Sequence, residues 1–150
     1  MVRVNVGINV KDLTDEHLRA ENVEIQMLLR FIEKYPVGRI PSNFSLNKGH
    51  ISFFRDKGNY LLIRLTLIQD EMMNRGMKLT KELGIDINFT IPKNNMFNYV
   101  ERNNDSKIIA ERIVERIKNP LRKKNSYKYY GEKINEVFLE RYEKYMRCEL

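Results

Sequence analysis

Residues 14–35, TDEHLRAENVEIQMLLRFIEKY, constrain the fold more than any other stretch of the chain. At about 100° per residue, Leu18, Ile25, Leu29 and Ile32 form one apolar stripe, the pattern of an amphipathic helix that must bury that side. His17, Glu21 and Glu24 lie along the edge of the stripe instead of opposite it. Solvated charges usually occupy the far face, so a carboxylate at the rim is partly desolvated. Such burial raises a carboxylate's pKa and suits it to carrying protons near neutral pH. The same spacing also describes a polar boundary row packed against a neighbouring loop, and that is the commoner outcome.

Before this helix, MVRVNV alternates Val2, Val4 and Val6 with Arg3 and Asn5, the period of an extended segment, and it is read as an extended arm. Thr14, followed by Asp15 and Glu16, marks the helix start, and Pro36 and Gly38 mark its end. Residues 36–49 are loop material. GHISFFRDK then enters a second helical pattern, with Leu61, Leu65, Ile68 and Met72 on one face, closing near Gly76. Residues 80–104 have weak periodicity and form an irregular connection. A third helix begins at the Asn104, Asp105, Ser106 cap, turns Ile109, Ile113 and Ile117 inward, and stops at Pro120.

A net charge of +7 makes an anionic partner the natural expectation, nucleic acid first. No apolar run reaches transmembrane length and no signal segment follows Met1, which points to an intracellular, cytoplasmic protein. One cysteine, Cys148, and two histidines, His17 and His50, are too few for a thiolate or histidine metal cluster, so no metal and no cofactor are expected. Arg112 and Arg116 sit four apart on the third helix and read either as a solvated stripe or as a basic contact row. The basic cluster Arg122, Lys123 and Lys124 leads into SYKYYG, residues 126–131. Lysine interleaved with Tyr127, Tyr129 and Tyr130 joins phosphate-binding charge to flat rings that lie against sugars and bases; tyrosines that merely seal helix ends would look the same. Residues 132–150 read as one more amphipathic helix carrying Ile134, Phe138 and Tyr142.

MVRVNV, DEHLRAENVE, GHISFFRDK, the Asn74, Arg75, Gly76 turn, AERIVERI and SYKYYG, in this order, resemble the small pyrimidine-dimer DNA glycosylases with abasic-site lyase activity of T-even phages and algal viruses. The resemblance runs over residues 1–131, taken as one domain, with 132–150 as a helical extension. It implies an all-α, single compact domain of three main helices, an N-terminal arm threaded between the first two, and an extra C-terminal helix. It also implies a monomer acting on damaged double-stranded DNA, in the host cytoplasm for a viral protein.

The implied chemistry begins with loss of Met1. The α-amine of Val2 then attacks C1′ of the damaged nucleotide, an imine to the sugar forms, and β-elimination cuts the strand. An α-amine suits this because its pKa of about 7.7 to 8.0 leaves a useful fraction unprotonated. Glu24 matches the family's catalytic glutamate. Arg3 matches the arginine beside the amine, and His17 the histidine of the first helix. Arg112 and Arg116 match basic positions that meet DNA, and Lys124, Tyr127, Lys128, Tyr129 and Tyr130 fall in the basic and aromatic segment. Family members kink the duplex and flip out a base opposite the lesion. The chain departs from this pattern where Val2 replaces threonine, where Val23 and Met27 replace arginines, where Asn22 replaces an aromatic residue and where Ser126 replaces tryptophan. These departures support an alternative, a non-catalytic or repurposed relative that binds DNA or another partner.

Overall fold

The computed structural model describes residues 4–79, 89–119 and 127–147. Its described residues are predominantly helical, the all-α class expected, and none of their helices is long and apolar enough to cross a membrane. Contacts divide the chain into two units, Met1–Val4 with Arg19–Val100 and Asn5–Leu18 with Glu101–Leu150.

Helix α1, Asp15–Lys34, belongs to both units. Thr14 caps it: its hydroxyl oxygen accepts the His17 amide at 3.0 Å, one of the amide groups that a helix start leaves without an internal partner. Leu18, Ile25, Leu28, Leu29 and Ile32 are buried, as the apolar stripe requires, while Arg19, Arg30 and Lys34 are exposed.

In the first unit, the rest of α1 is accompanied by α2, Gly49–Phe53, and α3, Gly58–Asn74. The helical pattern entered at GHISFFRDK is thus two helices, with residues 54–57 as the break between them. Residues 95–97 cross at this point. Phe97 N–H donates to the Asp56 carbonyl at 2.8 Å, and the Asn95 carbonyl oxygen lies 2.6 Å from where a Cβ on residue 58 would sit, so only glycine fits. Phe44, Phe53, Phe54, Tyr60 and Tyr99 pack mostly edge to face around the break, with ring centroids 5.1–6.4 Å apart. Leu61, Leu65, Ile68 and Met72 are buried along α3. Its end is a Schellman motif: Gly76 N–H bonds the Met73 carbonyl at 2.9 Å and Met77 N–H the Met72 carbonyl at 3.0 Å.

In the second unit, a 3-10 turn at Val10–Asp12 precedes α1, and α4, Asn103–Lys118, buries Ile109, Ala110 and Ile113. Helix α4 begins one residue before the expected cap. The Asp105 carboxylate reaches back to accept the Arg102 amide at 3.0 Å, half of a capping box. Strands β1, Lys128–Tyr129, and β2, Glu132–Lys133, form an antiparallel hairpin. The tail expected as one helix is built instead of α5, Glu136–Leu139, a 3-10 turn at Glu140–Tyr142, and α6, Glu143–Met146. Its polar ring ends are engaged early in the chain: the Tyr145 hydroxyl donates to Asp12 Oδ2 at 2.5 Å and accepts the Asn9 amide at 3.0 Å, while the Tyr142 hydroxyl donates to the Asp12 carbonyl.

Gly7 is a tightly packed glycine of this unit. Its φ is +79°, and a Cβ there would lie 2.0 Å from Oγ of the fully buried Ser106. Gly7→Ala therefore combines left-handed backbone strain with overpacking against α4, and it is expected to cost roughly 2–4 kcal/mol. A lowered urea midpoint with unchanged slope is the readout.

Candidate functional site

Beyond its first turn, helix α1 buries the polar side chains Glu21, Asn22, Glu24 and Gln26. Within the first unit, α3 supplies hydrogen-bond partners to Glu21 and Asn22. Arg64 grips Glu21 at two points, Nε to Oε2 at 2.7 Å and one terminal nitrogen to Oε1 at 3.2 Å, with both side chains buried. The Asn22 side-chain oxygen accepts from Gln69 at 3.1 Å and from Gln26 at 3.3 Å. Glu24 keeps 9% of its surface exposed, and its neighbours Val23 and Met27 stand out at 42% and 58%. A carboxylate held on a rigid helix, mostly out of water but still reachable, has the placement a proton carrier needs.

The spacing put both carboxylates at the rim of the buried face; in the structure Glu21 is fully buried against a guanidinium, whereas Glu24 lies at the margin of solvent. Arg64 did not enter the reading of the sequence. A signal for it was present, because it sits between Leu61, Leu65 and Ile68 on the apolar face of α3, where an arginine must meet an acid.

The second unit gathers the aromatic segment around the first turn of α1. Tyr127 stacks on His17 with ring centroids 5.0 Å apart and planes 19° from parallel. The Thr14 hydroxyl lies 2.8 Å from His17 Nδ1. Lys128 N–H donates to Glu16 at 2.7 Å and 3.1 Å, and the Tyr129 hydroxyl donates to the Lys11 carbonyl at 2.8 Å. Tyr130 and Gly131 form the hairpin turn with φ of 52° and 79°, the left-handed pair of a type I′ turn. Their amides donate to the two oxygens of Asp15 at 3.1 Å and 2.9 Å. Asp15 and Glu16, expected only to complement the helix dipole, therefore also anchor the hairpin across more than a hundred residues of sequence.

Lys128 and Tyr130 are left exposed, and Tyr127 and Tyr129 are half-buried. Arg141 stacks over Tyr129 and Phe138, at 4.3 Å and 4.0 Å from the ring centroids. Arg112 and Arg116 are half-buried on α4 in the same unit, whereas Glu24 belongs to the first. Val2, Arg3 and Lys124 lie outside the described residues, as does Ser126.

Removing one partner of the Glu21 and Arg64 pair strands a buried charge. Arg64→Met is expected to cost about 3–5 kcal/mol, and the double variant Glu21→Leu/Arg64→Met to recover most of that loss, as replaced buried pairs commonly do. Chemical denaturation of the two variants and the parent measures both.

A family model described as pyrimidine dimer DNA glycosylase matches residues 1–84. The match takes in α1 with Glu21 and Glu24, then α2 and α3, and it covers more than half of the 150 residues. The α4 helix and the tyrosine hairpin lie beyond it. This chain belongs to the pyrimidine dimer DNA glycosylase family.

Proposed function

We propose that the protein is a DNA glycosylase with abasic-site lyase activity on damaged duplex DNA, with pyrimidine dimers as its lesion. The observation that carries this reading is Glu24, a nearly buried carboxylate on the first long helix within the family match. With Met1 removed, the unprotonated α-amine of Val2 attacks C1′ of the damaged nucleotide. The bond from C1′ to the base breaks, and the base leaves with its electron pair and takes up a proton. The C1′–O4′ bond then breaks, O4′ takes up the proton that the attacking nitrogen gives up, and an imine joins C1′ to that nitrogen. Loss of a proton from C2′ then expels the 3′-phosphate and cuts the strand.

Glu24 stabilises the positive charge that builds on the sugar and moves protons in the elimination. Glu21 is unsuited to that role, since giving up its charge would break its buried ion pair with Arg64. Arg3, Lys124, Arg112 and Arg116 supply phosphate contacts in this reading. His17, Tyr127, Lys128, Tyr129 and Tyr130 form a stacking and hydrogen-bonding platform.

Borohydride reduction of the imine tests the chemistry directly. Protein with a verified Val2 terminus is expected to form a covalent adduct with ultraviolet-irradiated duplex and with a plain abasic duplex. Glu24→Gln should lower the trapping rate on irradiated duplex by roughly 10²–10⁴-fold, and a form retaining Met1 should trap little. Absence of adduct on both duplexes from the Val2 form would sink the lyase reading.

The exposure of apolar Val23 and Met27 on either side of Glu24 favours a second reading, a DNA-binding relative without lyase activity. At these positions the surface offers no charge to a phosphate. In either case, Val23→Arg and Met27→Arg together are expected to tighten duplex binding and steepen the salt dependence of log K by about 0.9 for each additional phosphate neutralised. Affinity titrations across a salt series read this out.

A further inference from the structure

We infer that His50 is a positioning residue for the N-terminal nucleophile, acting through the Val4 amide. The inference rests on the proposed role of the Val2 amine and names the group that fixes the arm behind it. Val4 N–H donates to His50 Nε2 at 3.2 Å in a buried setting, and His50 Nδ1 lies 2.9 Å from the Ser45 carbonyl oxygen. A carbonyl cannot donate and an amide N–H cannot accept, so the two contacts together admit one form of the ring. Its proton is on Nδ1, and the Nε2 lone pair faces Val4.

The ring is itself held. His50 is 1% exposed on the short α2 helix, with Phe44 and Phe54 edge-on at 5.5 Å and 5.1 Å. Ser45 lies in the loop that precedes α2, so loop, helix and arm converge on one imidazole.

An extended chain spans at most about 3.3–3.6 Å per residue, so fixing the Val4 amide leaves the proposed nucleophile a covalent tether of only two residues. A nucleophile on a chain end searches a large volume unless it is tethered. Displacing a reacting group by about 1 Å costs on the order of 10²-fold in rate. Val4 is itself fully buried, which holds its side chain, while His50 fixes the direction of its backbone. The ring chemistry thus serves the rate of imine formation more than the affinity for DNA.

His50→Phe keeps an aromatic ring and removes the acceptor. His50→Gln keeps one acceptor and one donor in a planar group. In the full chain with a verified Val2 terminus, His50→Phe is expected to lower the rate of borohydride-trapped adduct on abasic duplex by about 10- to 100-fold. Its affinity for a duplex carrying a reduced abasic site, which cannot form the imine, should stay within about twofold of the parent, and His50→Gln should regain most of the rate. In the uniformly 15N-labelled parent, the inference requires a coupling across the hydrogen bond between the Val4 amide and His50 Nε2, and shifts of the Nδ1-protonated tautomer. This measurement needs neither activity nor a folded variant. A parent that traps adduct while His50→Phe traps at the same rate overturns the inference and leaves the proposed function standing. So does an Nε2-protonated ring. Equal losses of rate and affinity that His50→Gln does not restore would make His50 structural and overturn the inference as well. A parent that traps nothing removes the proposed function, and with it the nucleophile, even where the coupling is seen.

Discussion

Neutralising the acid buried on α1 is the constraint on which the first unit depends. Glu21 has no contact with water, so an ionised side chain there is tolerable only with a cation held against it. Arg64 does this with two hydrogen bonds in a fork that lysine could not reproduce, and in doing so fixes the register of α3 against α1. Gln69 then bonds Asn22 in the same register, a contact that would be lost if either helix slid by a turn, while Gln26 braces the Asn22 side chain from within α1. A purely apolar seam would allow such sliding. The polar seam gives the backbone that carries Glu24 one defined position.

The apolar layers and the helix ends were the most legible features of the sequence. The α1 stripe, the Thr14 cap, the α3 stripe and the Gly76 stop all depend on residues within a turn or two of one another, and each is found where local chemistry places it. Distant partners account for what was not legible. The break between α2 and α3 follows from residues 95–97 crossing over Gly58, and nothing within GHISFFRDK reports that crossing. The hairpin at residues 128–133 lacks the Asn-Gly or Asp-Gly signal of a type I′ turn, and Tyr130 occupies a left-handed position that a tyrosine rarely takes. Asp15 offers a reason, since its two oxygens hold the amides of Tyr130 and Gly131 in that shape. The tail reads as one helix because Ile134, Phe138 and Tyr142 keep helical spacing; in the structure Ile134 precedes the first helical turn and is half-buried, and a 3-10 turn interrupts the rest while Phe138 and Tyr142 remain buried.

The candidate site was legible to a similar depth. Helical spacing put Glu21 and Glu24 on the rim together but could not separate them, because the difference lies in Arg64, more than forty residues away. Tyrosines mixed with lysines suggested a stacking surface, and the observed Tyr127 and His17 stack brings that segment to the histidine of the first helix. His50 read as half of an insufficient metal set. Its significance arises from the Val4 amide, which spacing cannot pair with a residue forty-six positions on.

The second unit is discontinuous in sequence, so its early segment finds its partners only in the last fifty residues of the chain. Asn5–Leu18 must wait for Glu101–Leu150 before its hydrogen bonds to Tyr129, Tyr130, Gly131, Tyr142 and Tyr145 can form. These contacts span 115 to 136 residues, and closing such loops is slow because chain entropy is lost before any contact forms. On the ribosome, α1, α2 and α3 emerge with their stripes complete, while the first turn of α1 remains without its hairpin until the tail is made. The docking of the tyrosine hairpin on the first turn of α1 accordingly depends on the last part of the chain to be made.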